Sequence, residues 1–290
     1  VIQYYQRQNS EVVTRQRLFL FLMVQQLKAN SNDVVTKIVM KKIEREFGVP
    51  VPGEIVDQEK WTKTALKKLP PEGPLDLVAL FGRAAPLVVD LGCGNGRFLI
   101  GSALRRPEFD HIGIDILPMV LRYATRRGNQ RGLGNLRFAA IDAQRFVAHY
   151  LTAGGVIEMH CYHPQPHHDP HDRHKRLLTP MFLVDVHSVL VAGGSLFVQT
   201  DNEAYWMYIK KSLPTFFDFH EQKGPWPDTP RGRTRREILA LKRRYPIFRG
   251  WGVKKDMTRE GALDAARSLP LPSFDAGPRR RDLDRLERES

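Results

Sequence analysis

The residues best suited to chemistry lie in one turn and at three strand ends. The turn reads Asp90-Leu91-Gly92-Cys93-Gly94-Asn95-Gly96. Its glycines, Gly92, Gly94 and Gly96, permit positive φ and let a ligand lie against bare backbone. A dinucleotide fingerprint needs its third glycine at position 97, where the chain has Arg97, and no Gly-Lys-Ser/Thr follows to make a phosphate loop. Asp90 opens the turn, Asp115 lies 19 residues past Gly96, and Asp142 closes a third apolar run. Carboxylates do not naturally border an anionic pyrophosphate. They suit a nucleoside carrying a cationic amine and a cationic sulfonium, and S-adenosylmethionine is such a ligand. Position assigns Asp90 to the amine, Asp115 to the ribose hydroxyls and Asp142 to the adenine end. One strand-end Asp alone would read as a helix cap. Three in register around a glycine loop favour the donor site.

These groups need a scaffold that brings strand ends together. Leu87-Val88-Val89, 111–114, 136–141, 156–162 and 195–199 read as short buried strands, with helical stretches between them. The alternation implies an α/β fold with a doubly wound, mostly parallel sheet, in which ligands bind beyond the carboxyl ends of the strands. Three regions follow: a helical extension over 1–55, a domain over 56–255 and a charged tail over 256–290 expected to be disordered. In the extension, Asn9 or Ser10 and Asn32 or Asp33 offer N-caps to two helices. The second carries Val34, Val35, Ile38, Val39, Ile43 and Phe47 at helical spacing and closes at Gly48. Its apolar face would dock or dimerise, leaving monomer and homodimer both open.

The 290 residues carry a formal net charge of +13, which suggests a polyanionic partner. The charge is uneven: +3 over 1–55, +11 over 56–255 and −1 over 256–290. Residues 231–255 hold ten basic side chains against one acid, Glu237, and read as a footprint for phosphate. The longest apolar run, Leu18 to Val24, is short of the roughly 20 residues that span a bilayer. No leader pattern opens the sequence, and two cysteines, Cys93 and Cys161, make no disulfide framework. A cytoplasmic protein without a membrane partner is expected.

Several motifs together resemble the bacterial tRNA (guanine-N7-)-methyltransferase family. They are Phe81-Gly82-Arg83, the Asp-Leu-Gly-Cys-Gly-Asn-Gly loop, Gly113-Ile114-Asp115-Ile116, Gly193-Gly194 through Thr200-Asp201-Asn202-Glu203 with Tyr205, and Thr234-Arg235-Arg236-Glu237 before Tyr245-Pro246-Ile247-Phe248-Arg249. The loop is common to class I methyltransferases, whereas the Thr-Asp and Thr-x-x-Glu elements are more specific. The resemblance covers about residues 70 to 252. It implies methylation of a guanine in the tRNA variable loop, with S-adenosylmethionine as donor and Asp201, Thr234 and Glu237 against the guanine nucleotide. One departure stands out. The family's Phe-Pro-Asp-Pro-Trp becomes His163-Pro164-Gln165-Pro166-His167, so that Gln165 replaces the proposed catalytic Asp and Asp169 a substrate-binding Lys. Guanine N7 already carries an in-plane lone pair, so reduced or retargeted activity is expected rather than none. A methyltransferase with another substrate, or a silent tRNA-binding protein, are the alternatives.

His160, His163, His167, His168, His171 and His174 crowd one stretch, but their spacing fits no zinc motif and no metal is assigned. Among the aromatics, Trp206 reads as core. Trp226, between Pro225 and Pro227, reads as exposed and available for stacking on a base.

Overall fold

The computed structural model describes residues 43–288 apart from 72 and 279. Most of the expected N-terminal helices therefore lies outside the described residues. Where the second was to end, a hairpin stands instead, with strands β1 (Arg45–Glu46) and β2 (Val49–Pro50). Phe47 and Gly48 both take positive φ, 48° and 81°, as a tight two-residue hairpin turn requires. The unit that holds the main sheet starts at Lys42, so the hairpin belongs to it.

A short helix α1 (Leu77–Phe81) leads into β3 (Leu87–Leu91). Then follow α2 (Arg97–Arg105), β4 (Asp110–Asp115), α3 (Pro118–Gln130), β5 (Leu136–Ala140), α4 (Ala143–Tyr150) and β6 (Val156–Tyr162). The chain continues through α5 (Pro180–Val189), β7 (Leu190–Thr200), α6 (Glu203–Phe216), β8 (Phe217–Glu221), α7 (Arg235–Lys242) and β9 (Phe248–Lys254). Two helices close it, α8 (Arg259–Arg267) and α9 (Arg281–Arg288). The seven-stranded sheet has the order β5-β4-β3-β6-β7-β9-β8, parallel except that β9 runs antiparallel to both neighbours. The doubly wound sheet expected from the alternation is present.

Strand periodicity divides the core. Leu87, Val89 and Leu91 face the layer built by α4, α5, α6 and α8, while Val88 faces α2 and α3. On β6, Met159 and Cys161 join the first layer, whereas Tyr162 joins the second and His160 stacks there on Phe98. The sheet reverses direction at β3, with β4 on one side and β6 on the other. The loops after β3 and β6 consequently diverge and open a crevice at their carboxyl ends.

Residues from 256 onward were expected to lack structure, and the described ones are folded. Thr258 caps α8 by accepting the Gly261 N–H at 3.1 Å, and Arg259 pairs with Asp185 of α5 at 3.2 Å. Ala262 and Ala266, four residues apart, let α8 lie closely on the core. Beyond it, Ala276 and Leu283 are also buried. The charged outer face of this segment dominates its composition and conceals the small inner stripe. Substituting Ala262→Asp is expected to cost about 2–4 kcal/mol, by overpacking and by burying an unpaired carboxylate. Thermal denaturation checks this, since a solvated tail would accept the change without effect.

Candidate active site

The glycine loop is held from below. The N–H groups of Gly92 and Cys93 both donate to the Ile114 carbonyl, and the Gly94 N–H donates to Asp115 Oδ2 at 3.0 Å. Gly92 and Gly94 have φ of 73° and 54°, and a Cβ at either would meet no atom within 4 Å. That open space above bare backbone is where a ligand fits. Gly96 is glycine for a second reason: a Cβ there would come within 2.8 Å of the Phe138 ring. From the hairpin, Glu46 braces the far side of the loop by accepting from Asn95 and Arg97, and from Arg127 of α3.

The three acids differ in their surroundings. Asp90 is buried, and its carboxylate accepts no hydrogen bond from the described residues. Burial, followed by the charge of Asp115, pushes its carboxyl up to about 8 against the opposing pull of Arg233. A buried carboxylate in this condition lacks a countercharge, and the cationic amine of S-adenosylmethionine would supply one. The residues present therefore fit that donor. Asp115 also titrates above its ordinary value, through burial that outweighs its bonds to the Leu117 and Gly94 N–H groups. Asp142 is exposed and caps α4 by accepting the Arg145 N–H, leaving its second oxygen at the rim.

Two polar networks adjoin this loop. In the first, the Glu158 carboxylate accepts from His160 Nε2 at 3.3 Å. Burial holds the His160 imidazole down at about 4, so it is neutral and its Nδ1 accepts from the Tyr162 hydroxyl at 2.8 Å. Tyr162 in turn accepts from Arg233, which also forks Asp228. The Arg233 guanidinium lies 4.2 Å from the Trp226 ring and 5.3 Å from that of Phe98.

The second network centres on Gln199 at the end of β7. Its Oε1 accepts from Trp226 Nε1 at 2.7 Å and from Arg249 Nε at 3.1 Å. Both are obligate donors, so the Gln199 amide N–H points at His163 Nε2, 2.9 Å away, which must accept. The imidazole proton then sits on Nδ1 and is donated to Asp201 Oδ1 at 3.0 Å. His163 takes a left-handed φ of 53° to reach this position. Arg236 donates to Asp201 Oδ2 at 3.0 Å, and His163 and Arg236 outweigh burial to hold the Asp201 carboxyl far below its usual range.

Several expectations change. Trp226 is 3% exposed, because its indole N–H finds Gln199, so it is a wall and not a free stacking platform. Thr234 caps α7, its Oγ1 accepting the Glu237 N–H, while Glu237 Oε2 accepts the N–H of Arg233, one residue before the cap. Glu237 is fully buried and pairs with Arg249 at 2.6 Å, so it supports the site from behind. Arg233 and Arg249, counted within the phosphate footprint, are internal struts. Gln165 is exposed at the crevice and its side chain bonds to none of the described residues. The histidines disperse: His160 is core, His163 belongs to the Gln199 network, and His168 donates to the Gly277 carbonyl. Among the described residues no group of three or more His, Cys, Asp or Glu converges as a metal site. Sequence reading gave Gln199, His163 and Arg233 no role in the site: His163 stood in the histidine cluster and the altered Pro-rich motif, Arg233 in the basic run, and Gln199 only as a strand end.

No helix among the described residues is long and apolar enough to cross a membrane. The model of a family described as putative methyltransferases matches residues 84–248. The tRNA (guanine-N(7)-)-methyltransferase of Halorhodospira halophila is 32% identical over 183 residues, covering 62% of this chain and 79% of the relative. That of Alkalilimnicola ehrlichii is 30% identical over 191 residues, covering 65% and 81%. Among solved structures, the 16S rRNA methyltransferase KamB shares the fold at 16% identity and a TM-score of 0.50, covering 67% of this chain and 99% of that one. With its glycine cradle, its strand-end acids and this breadth of match, the chain belongs to the tRNA (guanine-N7-)-methyltransferase family.

Proposed function

We propose that this protein methylates N7 of a guanine in tRNA, with S-adenosylmethionine as donor. The observation that carries the reading is the buried, unpartnered Asp90 beside the open space over Gly92 and Gly94. When bound, S-adenosylmethionine supplies a methyl group activated by a sulfonium. Asp90 holds the amine, Asp115 the ribose hydroxyls and Asp142 the adenine end. A tRNA substrate fits a cytoplasmic protein whose excess charge is positive.

The reaction asks little proton chemistry of the chain. Held there, the donor would give its methyl group to the N7 lone pair, with the carbon–sulfur electron pair kept by sulfur. No proton leaves the base before attack, so the protein's contribution is alignment and a field suited to the positive charge gained by the purine. Asp201 Oδ2 already accepts twice from Arg236, whereas Oδ1 keeps a second lone pair and accepts from the base edge. Thr234 stands at the head of α7 for the same nucleotide, with Glu237 fixing the backbone beneath it. Gln165 orients the base by hydrogen bonding but brings no charge.

Incubation with labelled S-adenosylmethionine and total tRNA, followed by nucleoside analysis, is expected to yield 7-methylguanosine. A different methylated nucleoside, or binding without transfer, rejects the reading. Replacing Gln165→Asp is expected to raise kcat/KM by about tenfold, equivalent to ~1.4 kcal/mol. A fall in rate would count against the assigned role.

Asp90 gives a test that needs no turnover. With its carboxyl near 8, ligand-free protein at pH 7 carries the proton there. A cationic amine beside it expels that proton, so donor binding at pH 7 is expected to release up to one proton. Calorimetry in buffers of different ionisation enthalpy measures the release, which Asp90→Asn should abolish. Without ligand the sign is also fixed. Between the ordinary Asp value of about 3.9 and about 8, the folded state binds the proton and the unfolded chain does not. Wild-type stability should therefore fall relative to Asp90→Asn as pH rises through that window.

A further inference from the structure

The matched family region ends at residue 248, yet residues 270–277 run directly across the acceptor side of the crevice. Tyr208 of α6 donates to the Pro270 carbonyl at 3.3 Å. Phe274 packs on Tyr205 and Tyr208, with ring centroids 5.1 and 5.9 Å apart. Asn202, the neighbour of Asp201, donates to the Ala276 carbonyl at 2.8 Å, and His168 donates to that of Gly277 at 2.9 Å. The segment is thus bonded both to the residue beside Asp201 and to the loop that carries Gln165.

Arg176 joins the two. It is completely buried, and its hydrogen bonds all go to backbone carbonyls. Pro166 and His167, in the Gln165 loop, accept at 2.6 and 3.0 Å. Pro272 and Phe274, in the crossing segment, accept at 2.6 and 2.8 Å. The guanidinium centre also lies 3.8 Å from the Phe274 ring centroid. A planar fork of five donors can satisfy four carbonyls in two segments at once, and an ammonium cannot. Burying a guanidinium without a carboxylate partner is costly, which singles this arrangement out from ordinary packing.

We infer that residues 270–277 form a wall of the acceptor site and that Arg176 is the positioning residue which, through them, fixes the loop bearing Gln165. The inference rests on the guanine-N7 reading. In that reaction alignment is most of the catalysis, and a displacement of about 1 Å costs on the order of a hundredfold in rate. The loop has lost both aromatics of the family motif, with His163 and His167 in their places, and Arg176 holds it from behind.

The test uses the full chain carrying Arg176→Lys or Phe274→Leu. Amide exchange of residues 163–169 is expected to speed up by at least about tenfold in both variants. Turnover number with tRNA should fall about 30- to 100-fold, while the Kd for S-adenosylhomocysteine stays within about threefold. Exchange and turnover both within about twofold of wild type overturn the inference. A parallel loss of S-adenosylhomocysteine binding also overturns it, because the effect would then be general. If Arg176→Lys fails to fold, Phe274→Leu decides alone. If wild type transfers no methyl group to tRNA, the functional reading fails separately, and the exchange arm still decides whether the wall holds the loop.

Discussion

One buried amide sets the geometry of the acceptor side. Gln199 faces two obligate donors on its oxygen, Trp226 and Arg249, and an acceptor on its nitrogen, His163. Turning that amide over would set donor against donor at both Trp226 and Arg249. Each unsatisfied buried group costs about 1–3 kcal/mol, so the orientation is effectively fixed. Four segments depend on it: the end of β7, the turn after β6, the loop before α7 and the start of β9. His163 inherits a defined tautomer, and Asp201 inherits a defined hydrogen-bond donor.

The donor side obeys the opposite rule. Gln199 is completely satisfied, whereas Asp90 is buried with no hydrogen bond from its surroundings. An aromatic group, Phe98, Tyr162 and Trp226, holds the Arg233 guanidinium against its faces. Burial, followed by the charge of Asp115, outweighs the pull of Arg233 and raises the Asp90 carboxyl towards 8. A hydrogen-bonded network and a carboxyl that burial keeps protonated are thus the two contrasting parts of the site, the second poised for a cationic ligand.

What the sequence disclosed follows from how local each signal is. The glycine loop and its acids were legible because β3, the turn and α2 are contiguous, and because strand ends in such sheets face one crevice. Trp226 was misread because its prolines speak only of backbone, while the partner that buries it lies 27 residues earlier, at Gln199. Arg233 and Arg249 were read as surface charge because a run of one sign conceals which members turn inward. Their partners Asp228 and Glu237 are identified only by the fold. The segment after 256 was misjudged because Ala262 and Ala266 carry little hydrophobic signal, although they are small enough for close helix packing.

The exchange of an acid for Gln165 changes meaning in this setting. A carboxylate in the altered loop would lie in the same stretch as His163, whose Nδ1–H already points at Asp201. Asp201 and Asp284 share Arg236, and Arg280 lies 4.0 Å from Asp201, so two acids here face two guanidiniums. The carboxylates of this side therefore stand just after β7 and on α9, each paired with a guanidinium, rather than on the loop itself. Gln165 brings no charge to the loop, and Arg176 clamps it through carbonyls alone. The carboxylates of this side are carried by rigid elements, and the loop is left to supply shape.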